Sequence, residues 1–593
     1  MPAKRTIIFG LFLSIFLPCV LIAGGISYTV DFEGLDDPGA LKSMRSLSQL
    51  TLLKKRPPAS INALRYRAES DIPELLKVLH AHGYYEAKIN IRVEEAVLQM
   101  RVVVVIKPGP VYKIGDFQIQ LYCGTPEFPV DCVCVDPKNI GIILGKPVQA
   151  EKILNAEQKL LQLLAECGYP LSKVERREMI ADGKAKTLTV ILGVDTGHEA
   201  HFGTTTVEGL KTVKPLFIDQ KTAWADGKTY DSSDVENTQN ALMDSGLFSS
   251  VLITHEETLN QDGQLPMKIE VKETKHRSIN LGVSYQTVFG PGITFGWEDR
   301  NIAGMGRSLS FQGDFTRISH SGIGKYVHPD FLRVGQEMIW QATAMHESLF
   351  AYHDRSYNLM NRFDSKIGEK VRLSIGAIGE RLYVTNSVSN GNFWLVEVPF
   401  YIRWSNTTSL LDPTKGLTLE FTTTPSANIS DAKKYYAIQK ITESTYHPLT
   451  HSNSIVLAQK LTLGVIWSPH LSTVPVSKRF LGGSEEELRG YRYRTVSPLR
   501  DNIPEGGRSA IYWTFESRFR VTKNIGLVPF FDIGSVYLTQ YPTWEGKWFK
   551  SAGLGLRYFS FMGPFRFDVA FPLDRRKGID PLYKVLVSIG QTF

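Results

Sequence analysis

The sequence predicts a multidomain protein in which three tandem β-α-α-β-β domains precede a 16-stranded antiparallel transmembrane β-barrel. Two observations support this prediction. The N-terminal region repeats a helix–glycine–strand pattern about every 80 residues, and roughly the last 320 residues alternate between apolar and polar side chains. Alternation of period two is what a strand needs when one face meets an apolar medium and the other does not.

Composition narrows the class of protein. The chain has 593 residues, of which 43% are hydrophobic, and a formal net charge of +7. That hydrophobic fraction is too low for a helical membrane protein but ordinary for a barrel with polar lumen-facing positions. The charge is not gathered in a tract, so nucleic-acid binding is not predicted. The sequence shows no nucleophile elbow, P-loop or His-Glu-x-x-His motif, so we expect no enzyme, cofactor or metal.

The first 25 residues are typical of a secretory signal peptide that is removed on export. Lys4 and Arg5 supply the positive start, residues 7–23 are apolar, and small residues follow where a signal peptidase reads. A retained membrane anchor is the alternative, and lipidation of Cys19 is disfavoured because Pro18 precedes it. Beyond residue 23 there is no apolar run of about 18 residues, so no membrane-spanning helix is predicted.

Four cysteines remain after the signal peptide, at Cys123, Cys132, Cys134 and Cys167. In an oxidising compartment, such a cluster predicts one or two structural disulfides, and three full pairings are possible. Free thiols and a metal site are the alternatives. The single residue between Cys132 and Cys134 is too short a spacing for the usual zinc pattern.

The repeats are marked by three equivalent turns: Gly-Tyr-Tyr-Glu-Ala at 83–87, Gly-Tyr-Pro-Leu-Ser at 168–172 and Gly-Leu-Phe-Ser-Ser at 246–250. Each turn follows an amphipathic helix and precedes a pair of strands. Asp71 followed by Pro73 indicates the start of a helix in the first repeat. Ser233 with Glu236 three residues later is a capping-box pattern and indicates the start of a helix in the third. We place the three domains at 26–108, 109–198 and 199–274.

This order of elements, with its helix–glycine–aromatic–strand junction, resembles the polypeptide-transport-associated (POTRA) domain over about 250 residues. Each motif is weak alone, and three in tandem are more specific. Another kind of α/β module is the alternative. Such a module offers a strand edge to which an extended client can add by main-chain hydrogen bonds, whatever the sequence of the client.

Residues 275–593 form the predicted barrel. One parity carries Ile279, Leu281, Val283 and Tyr285 in the first strand, and Val585, Val587, Ile589 and the aromatic end Phe593 in the last. In lipid the backbone must pair with itself, so the sheet is expected to close. A soluble β-sandwich repeat is the alternative, which the dense aromatic residues on one parity disfavour.

Several barrel motifs resemble the family of outer-membrane β-barrel assembly and translocation proteins: Phe-Leu-Gly-Gly at 480–483, Arg-Gly-Tyr at 489–491, Phe-Asp-Ile-Gly at 531–534 and Leu-Asp-Pro-Thr-Lys-Gly at 411–416. Three repeats are most similar to the translocation-and-assembly-module type within it. The resemblance implies a Gram-negative outer membrane, POTRA domains in the periplasm, unfolded outer-membrane or surface proteins as clients and outer-membrane lipid as a partner. It also implies a long periplasmic partner anchored in the inner membrane.

The same resemblance implies that the Arg489-Gly490-Tyr491 loop folds back into the lumen and that Arg489 pairs with acidic residues of the inner wall. The matching motif supplies Asp532, and the alternation around residue 516 supplies Glu516 as a second candidate. A guanidinium suits this role because it contacts carboxylates in a planar, bidentate way and stays charged. We expect Arg489→Ala to be more harmful than Arg494→Ala.

Finally, the resemblance implies a lateral gate between weakly paired first and last strands, at about 278–287 and 584–593. The gate residues would be Ile279, Leu281, Gly282, Val283, Val587, Ile589, Gly590 and Phe593, and Gln591 departs from the apolar residue usual in the terminal strand. The implied function is insertion of client proteins at this seam. Translocation of an exoprotein through the lumen is the main alternative, and a passive pore is another.

Overall fold

The computed structural model describes residues 25–95, 99–129, 139–385, 390–430, 434–561 and 563–593. The predicted signal peptide therefore lies outside the described residues, apart from Gly25. Helices in the described ranges are all too short or too polar to cross a membrane. Residues 207–222, 238–252 and 269–593 form one compact unit, and the remaining described residues up to 268 form a second.

The first repeat packs three helices on a three-stranded sheet. Its elements are β1 (Tyr28–Glu33), α1 (Pro38–Leu47), α2 (Gln49–Leu52), α3 (Ile61–Ala81), β2 (Lys88–Glu95) and β3 (Met100–Lys107). The order across the sheet is β1-β3-β2, with β1 parallel and β2 antiparallel to β3. The β-branched run of the central strand β3 is buried, and Leu64, Leu75 and Leu79 of α3 complete the core.

The second repeat has the sheet order β5-β4-β7-β6. Its elements are β4 (Lys113–Cys123), β5 (Thr125–Pro129), α4 (Ala150–Glu166), β6 (Lys173–Asp182) and β7 (Thr187–Asp195). Within the described part of this repeat, α4 is the single helix, and its Ile153, Leu160 and Leu164 are buried against β4 and β7.

The third repeat has the sheet order β8-β10-β9. Its elements are β8 (His201–Glu208), α5 (Pro215–Lys221), α6 (Ser232–Asp244), β9 (Phe248–His255) and β10 (Gln264–Glu273). The prediction of three β-α-α-β-β-like POTRA domains ahead of an antiparallel barrel is confirmed.

The glycine of each predicted turn ends a helix in a left-handed conformation. Gly83, Gly168 and Gly246 have φ values of +86°, +97° and +68°, as expected of the residue that follows a helix C-cap. The carbonyl oxygens of Gly83 and Gly168 accept hydrogen bonds from the backbone N–H groups of Tyr112 and Ala200, each at the start of the next repeat. These turns therefore end one module and attach the following one.

The junction between the third repeat and the barrel is built around a buried carboxylate. Glu273 accepts backbone hydrogen bonds from Lys211, Thr212 and Val213 at 2.7 to 3.1 Å, and a 2.6 Å bond from the Thr212 hydroxyl. Burial tends to raise the pKa of Glu273, but these hydrogen bonds outweigh it and lower the pKa to about 2. The same loop bonds the barrel turn, since the N–H of Lys214 donates to the Gly304 carbonyl.

The barrel sheet contains 17 strand segments, all antiparallel to their neighbours. They are β11 (Arg277–Gln286), β12 (Gly290–Ile302), β13 (Arg307–Thr316), β14 (Ser319–Pro329), β15 (Gln336–Ser348), β16 (His353–Ile367), β17 (Val371–Thr385), β18 (Gly391–Glu397), β19 (Phe400–Ser405), β20 (Gly416–Asn428), β21 (Lys434–Pro448), β22 (Ile455–Trp467), β25 (Ser509–Arg520), β26 (Ile525–Tyr537), β27 (Phe549–Ser560), β28 (Gly563–Pro572) and β29 (Lys584–Ile589).

Two of these segments are halves of one strand. Both β18 and β19 pair with β17 on one side and β20 on the other. The break falls at Val398 and Pro399, where proline cannot donate to the ladder, yet the Val398 N–H and the Pro399 carbonyl still bond the neighbouring strands. The sheet therefore has 16 strands, as the sequence predicts.

The sheet begins at β11 and ends at β29, and ladder hydrogen bonds do not join these two described strands. On β11, Ile279, Leu281, Val283 and Tyr285 are 68%, 78%, 89% and 76% exposed. The opposite face of this strand is exposed as well. The first strand is thus an open edge.

A long segment between β22 and β25 occupies the lumen. It contains two short 3-10 helices at Leu471–Thr473 and Val476–Lys478 and a small hairpin of β23 (Leu499–Arg500) and β24 (Ile503–Pro504). Its Val474, Val476 and Leu481 are buried with Leu382, Val384 and Leu395 of the wall. We call residues 468–508 the lumen loop.

The cysteines divide in a way that the sequence does not predict. Cys167 is disulfide-bonded, whereas Cys123 carries a free thiol whose sulfur lies 3.6 Å from His198 Nδ1. Cys123 is therefore wrong as a candidate disulfide cysteine, because at the end of β4 it faces an imidazole rather than another sulfur. Cys132 and Cys134 lie outside the described residues.

Candidate functional site

The centre of the lumen loop is Arg489, whose side chain is fully buried. Its Nε and Nη2 donate to the two carboxylate oxygens of Asp532 at 3.0 and 2.8 Å, a bidentate contact. Its backbone N–H donates to the same carboxylate at 3.0 Å. Nη1 donates to Glu516 Oε1 at 2.8 Å. The structure therefore places Arg489 between both of its predicted partners.

Further contacts of Arg489 are absent from the sequence prediction. Nη1 also approaches Asp568 Oδ2 at 3.2 Å, and the guanidinium lies 3.5 Å from the ring centroid of Phe530. A planar guanidinium can stack on an aromatic ring and bond carboxylates in its own plane at the same time. The inward parity of Asp568 on β28 is the one sequence signal that could have identified it.

Alternating charges surround this contact. The buried cations are Arg489, Arg518, Arg557 and Arg566, and the buried carboxylates are Glu516, Asp532 and Asp568. Arg518 Nε donates to Glu516 at 2.9 Å, and Arg557 pairs with Asp568. Charges this deeply buried are tolerated when each has a partner, and removal of one partner leaves an uncompensated charge. The cluster therefore depends on all of its members.

Gly490 lies where the loop crosses the end of β28. A Cβ atom at this position would lie 2.6 Å from the backbone nitrogen of Pro572 and 2.7 Å from the carbonyl carbon of Phe571. Both are backbone atoms, which cannot move aside as a side chain can. Glycine is therefore required here, because the loop backbone passes so close to the wall. This close contact also keeps the neighbouring Arg489 in its buried position.

Tyr491 fastens the next position of the loop to the wall. Its hydroxyl donates to the Lys550 carbonyl at 2.8 Å and accepts from the backbone N–H groups of Lys550 and Asp574, both at 3.2 Å. Its ring meets Phe549 edge to face, with centroids 5.4 Å apart. A buried phenol with all of its hydrogen bonds satisfied fixes the loop against β27 and the turn after β28.

The end of the chain reaches the same cluster. Strand β29 stops at Ile589, and Gly590 turns the chain with a φ of +95°. The Thr592 hydroxyl then donates to Glu516 Oε1 at 2.7 Å and accepts from Arg489 Nη1 at 3.2 Å. The Phe593 ring lies 6.0 Å from that of the buried Tyr446. Phe593 is therefore a lumen residue, and its predicted lipid-facing parity is wrong because the strand ends before it.

Gln591 has a role that its sequence context does not reveal. It accepts from Arg557 Nε at 2.9 Å and donates to Asp412 Oδ1 at 3.0 Å. Asp412 belongs to the Leu-Asp-Pro-Thr-Lys-Gly motif, which forms the turn between β19 and β20. The carbonyl oxygen of Leu411 in this turn accepts from the Gln591 N–H at 3.3 Å. A polar residue in the terminal segment therefore links the chain end to a turn on another part of the barrel.

A second anchor holds the lumen loop on the side away from Arg489. Lys478 pairs with Glu380 at 2.5 Å and with Glu397 at 3.4 Å. Arg494 donates to the Ser477 carbonyl at 2.6 Å and lies 5.1 Å from the Tyr352 ring. Arg494 is thus engaged within the loop and is a poor reference residue for comparison with Arg489. Arg500, in the exposed hairpin, is a better one.

The predicted gate residues fall into two groups. Ile279, Leu281, Gly282 and Val283 lie on the exposed edge strand β11. Val587 and Ile589 lie on β29 and are each 57% exposed, whereas Gly590 and Phe593 lie beyond the end of β29. The two strands are not paired with each other in the described sheet. An unpaired strand edge is what a further strand needs in order to add to a sheet.

This combination of POTRA domains, a 16-stranded barrel and an arginine loop in the lumen defines a class of bacterial outer-membrane protein. Residues 301–593 match the Omp85 superfamily domain. These matches indicate a protein of the Gram-negative outer membrane, with its POTRA domains in the periplasm.

Two known relatives of the chain have the same name. A protein from Nitratidesulfovibrio vulgaris named outer membrane protein assembly factor BamA is 25% identical over 543 residues, covering 86% of this chain and 66% of the relative. A protein of the same name from Neisseria meningitidis serogroup B is 18% identical and covers 88% of this chain and 72% of the relative. The chain thus spans about two thirds of the length of these relatives.

A solved structure has the same fold. BamA from Haemophilus ducreyi lacking POTRA domains 1–3 superposes with a TM-score of 0.67 at 18% identity, covering 80% of this chain and 99% of that one. At this identity the likeness concerns the fold. It supports the arrangement of POTRA domains followed by a barrel that the strand order describes.

Proposed function

We propose that this protein assembles other proteins into the outer membrane. POTRA domains would receive unfolded clients in the periplasm, and the seam between β11 and β29 would serve as a lateral gate for their insertion. The observation that carries this proposal is the open edge of β11, whose outward side chains are 68% to 89% exposed. The names of the relatives, outer membrane protein assembly factors, agree with it.

The physical basis is the cost of an unpaired backbone in lipid. Each unsatisfied N–H or C=O group costs several kcal/mol there, so a client strand gains most by pairing at once with an existing edge. The edge of β11 offers such groups without regard to the client's side chains. Folding of the client would then supply the driving force, and no nucleotide site is needed for this mechanism.

The contacts of the chain end favour a gate that can be held or released. Thr592 and the Phe593 carbonyl are bound to Glu516, Arg489 and Arg518 inside the barrel. The last four residues are therefore kept away from the edge of β11. If a client pairs with β11, this attachment would determine how far β29 can move from its place.

Translocation of an exoprotein through the lumen is the less favoured function. The lumen loop is attached to opposite parts of the wall by Arg489 and by Lys478, and the apolar side chains of the loop pack on the wall between them. An open passage would require both attachments to break. The edge of β11, by contrast, is already unpaired in the described sheet.

We also propose that the protein is of the translocation-and-assembly-module type, because three POTRA domains precede the barrel. A protein of this type would act with a long periplasmic partner anchored in the inner membrane. The POTRA sheet edges, β1 and β2 in the first repeat and β6 in the second, offer backbone groups to which such a partner could add. Loss of partner binding on deletion of residues 26–108 would test this assignment.

The experiment for the main proposal is site-specific photo-cross-linking in cells. A photoreactive residue is placed at Leu281 on the seam, at Leu359 on the lipid face of β16, or at Asn358, its lumen-facing neighbour. Leu281 and Leu359 are 78% and 70% exposed, so they are matched in access. Insertion at the seam predicts cross-links to outer-membrane clients from 281 and far fewer from 359.

The other outcomes distinguish the alternatives. Client cross-links mainly from 358 would instead indicate passage through the lumen. An absence of client cross-links from all three positions, with a full set of outer-membrane proteins after depletion of this protein, would contradict a role in assembly.

A further inference from the structure

The outward face of the barrel carries a row of basic side chains at the strand ends opposite the end where the chain enters the barrel. The entry end is fixed by connectivity, because β10 leads directly into the start of β11 at Arg277. At the opposite ends lie His320 on β14, His346 on β15, Arg355 on β16 and Arg381 on β17. The strand register brings His320, His346 and Arg355 side by side in one row, and Arg381 lies in the next row.

The direction of these side chains follows from their neighbours. Leu382 and Val384 on β17 and Leu395 on β18 are buried against the lumen loop. Because side chains alternate along a strand, Arg381, Tyr383 and Trp394 point to the lipid side. The registered partners of these residues on β14–β16, including His320, His346 and Arg355, therefore also point outward.

The row is arranged as a group. The rings of His320 and His346 lie 6.3 Å apart and nearly parallel. His346 donates from Nδ1 to the Asp354 carbonyl at 2.9 Å, which leaves its Nε2 for an outside ligand. The Arg381 guanidinium lies 4.9 and 4.8 Å from the rings of Tyr383 and Trp394. Neither Arg355 nor Arg381 forms an ion pair within the described part of the chain.

Carboxylates do not balance this row. Those on the same strand ends point into the lumen, where Glu347, Asp354 and Glu380 are each less than a tenth exposed. Asp314 accepts a 2.8 Å hydrogen bond from Thr294 on the lumen side. The described lipid-facing surface here is therefore positively charged, and the side chains of the adjacent carboxylates lie on the other face of the sheet. A positive charge in this position is costly at a membrane unless an anion accompanies it.

An apolar groove of about 1000 Å³ runs along the same face. Its floor consists of small residues from β13, β14, β15 and β17, and its walls are larger side chains. The floor residues are Gly313, Gly322, Gly324, Ala342, Ala344 and Gly379, and the walls include Phe311, Tyr357, Leu359 and Trp394. Outward positions on a barrel usually carry bulky apolar residues, so a trough of small ones leaves room for a long, narrow apolar group.

The groove and the basic row are continuous. A second cavity of about 460 Å³ is lined by His346, His353, Asp354 and Arg355, and it shares Tyr357 and Tyr383 with the groove. From this arrangement we propose that the outer face of β13–β18 is a binding site for a phosphorylated lipid of the outer leaflet. Arg355, Arg381 and the histidines bind the phosphate, and an acyl chain lies in the groove.

The chemistry favours this occupant over others. Arginine and imidazole N–H groups are suited to phosphate oxygens, and the basic row lies at the strand ends, where a transmembrane barrel meets lipid headgroups. A soluble anion would have no use for the groove. This inference depends on the orientation of the barrel and not on the proposed assembly function.

The test uses the full mature protein in a mild non-ionic detergent, incubated with lipid A or with phosphatidylcholine, and native mass spectrometry of the retained lipid. Wild type is expected to retain lipid A in preference to phosphatidylcholine. The double variant Arg355→Gln/Arg381→Gln loses two charged contacts, so we expect on the order of tenfold less retained lipid A. Gly322→Leu is also expected to lower retention, because a Cβ there meets only open space and the larger side chain fills the groove.

The matched control is Lys550→Gln, which removes an exposed outward cation from β27 at the same end of the barrel. It should retain lipid A as wild type does. Wild-type retention by the double variant, or equal retention of the two lipids, would overturn the proposal. Full displacement of lipid A by inorganic phosphate would reduce the site to an anion site and would also overturn it. If Gly322→Leu retained lipid A as wild type does, the acyl chain would not lie in the groove.

Discussion

The Thr592 hydroxyl accepts a hydrogen bond from Arg489 Nη1 at 3.2 Å, although 103 positions separate the two residues. Both side chains also bond the same atom, Glu516 Oε1, at 2.7 and 2.8 Å. The end of the polypeptide is therefore part of the buried charge cluster of the lumen loop. A displacement of the loop would remove one hydrogen-bond partner from the chain end, and a displacement of the chain end would remove one from the loop.

Substitution of Thr592 by valine should loosen the chain end and leave the loop in place. Valine keeps the shape but removes the hydroxyl, while Glu516 keeps its contacts with Arg489 and Arg518. The loss of hydrogen bonds to charged groups costs about 1–2 kcal/mol. At 1 kcal/mol, the amides of residues 590–593 should exchange hydrogen about fivefold faster by mass spectrometry.

Ser588→Ala is the matched control for that variant, because Ser588 lies on β29 and its hydroxyl has no bonded partner among the described residues. Its exchange should equal that of wild type. Unchanged exchange in Thr592→Val would mean that the Thr592 contacts do not hold the chain end.

Replacement of Arg489 should destabilise the barrel strongly. Alanine leaves three buried carboxylates with fewer cations, and loss of one member of a buried charge group costs about 3–5 kcal/mol. Lysine keeps the charge but cannot make the bidentate contact with Asp532, so Arg489→Lys should lie between alanine and wild type. Samples are heated to increasing temperatures before loading on a gel. The measurement is the temperature at which the band of the folded barrel disappears.

Arg500→Ala serves as the reference for these variants, and we expect its effect to stay within about 0.5 kcal/mol, as for other exposed substitutions. If Arg489→Ala and Arg500→Ala shifted the transition equally, the buried cluster would have no special part in stability.

The second anchor should matter separately. Lys478→Met preserves the length of the side chain but leaves Glu380 and Glu397 without their cation, at a cost of about 3 kcal/mol. The first part of the lumen loop should then open more often, and chymotrypsin should cleave after the partly buried Phe480 faster than in wild type. Lys523→Met, in an exposed turn, is the control. Equal cleavage rates in both variants would show that Lys478 does not hold the loop.

Much of this fold could be predicted because it repeats. Alternation along the strands indicates which side chains face lipid, and the glycines at 83, 168 and 246 follow from the need for a left-handed residue after a helix. The prediction for Phe593 is wrong for a related reason. Alternation gives parity but not the place where a strand stops, and a single positive φ at Gly590 turns the last residues inward.

The site could be predicted in part. Arg489, Asp532 and Glu516 belong to recognisable motifs or to alternating segments, and the structure brings all three together. Asp568 and Thr592 could not be assigned, because they reach the lumen loop from parts of the chain far away in sequence. Lys478 belongs to the loop itself, but its partners Glu380 and Glu397 are equally distant in sequence. Several carboxylates point inward, and the curvature of the sheet decides which of them meets a given arginine. Patterns within a single strand do not encode that curvature.

The junction carboxylate Glu273 gives a prediction about pH. Its pKa in the folded protein is lowered to about 2, below the usual value of about 4.3 for an unfolded chain. A lowered folded pKa means that Glu273 stabilises the junction above pH 4.3 and loses that effect as the pH falls towards 2. Protection of the Lys211, Thr212 and Val213 amides from hydrogen exchange, corrected for intrinsic rates, should therefore be high at pH 7 and much lower at pH 2.5. Glu273→Gln should reduce protection at pH 7 and remove most of this pH dependence, and equal pH dependence in both proteins would contradict the assignment.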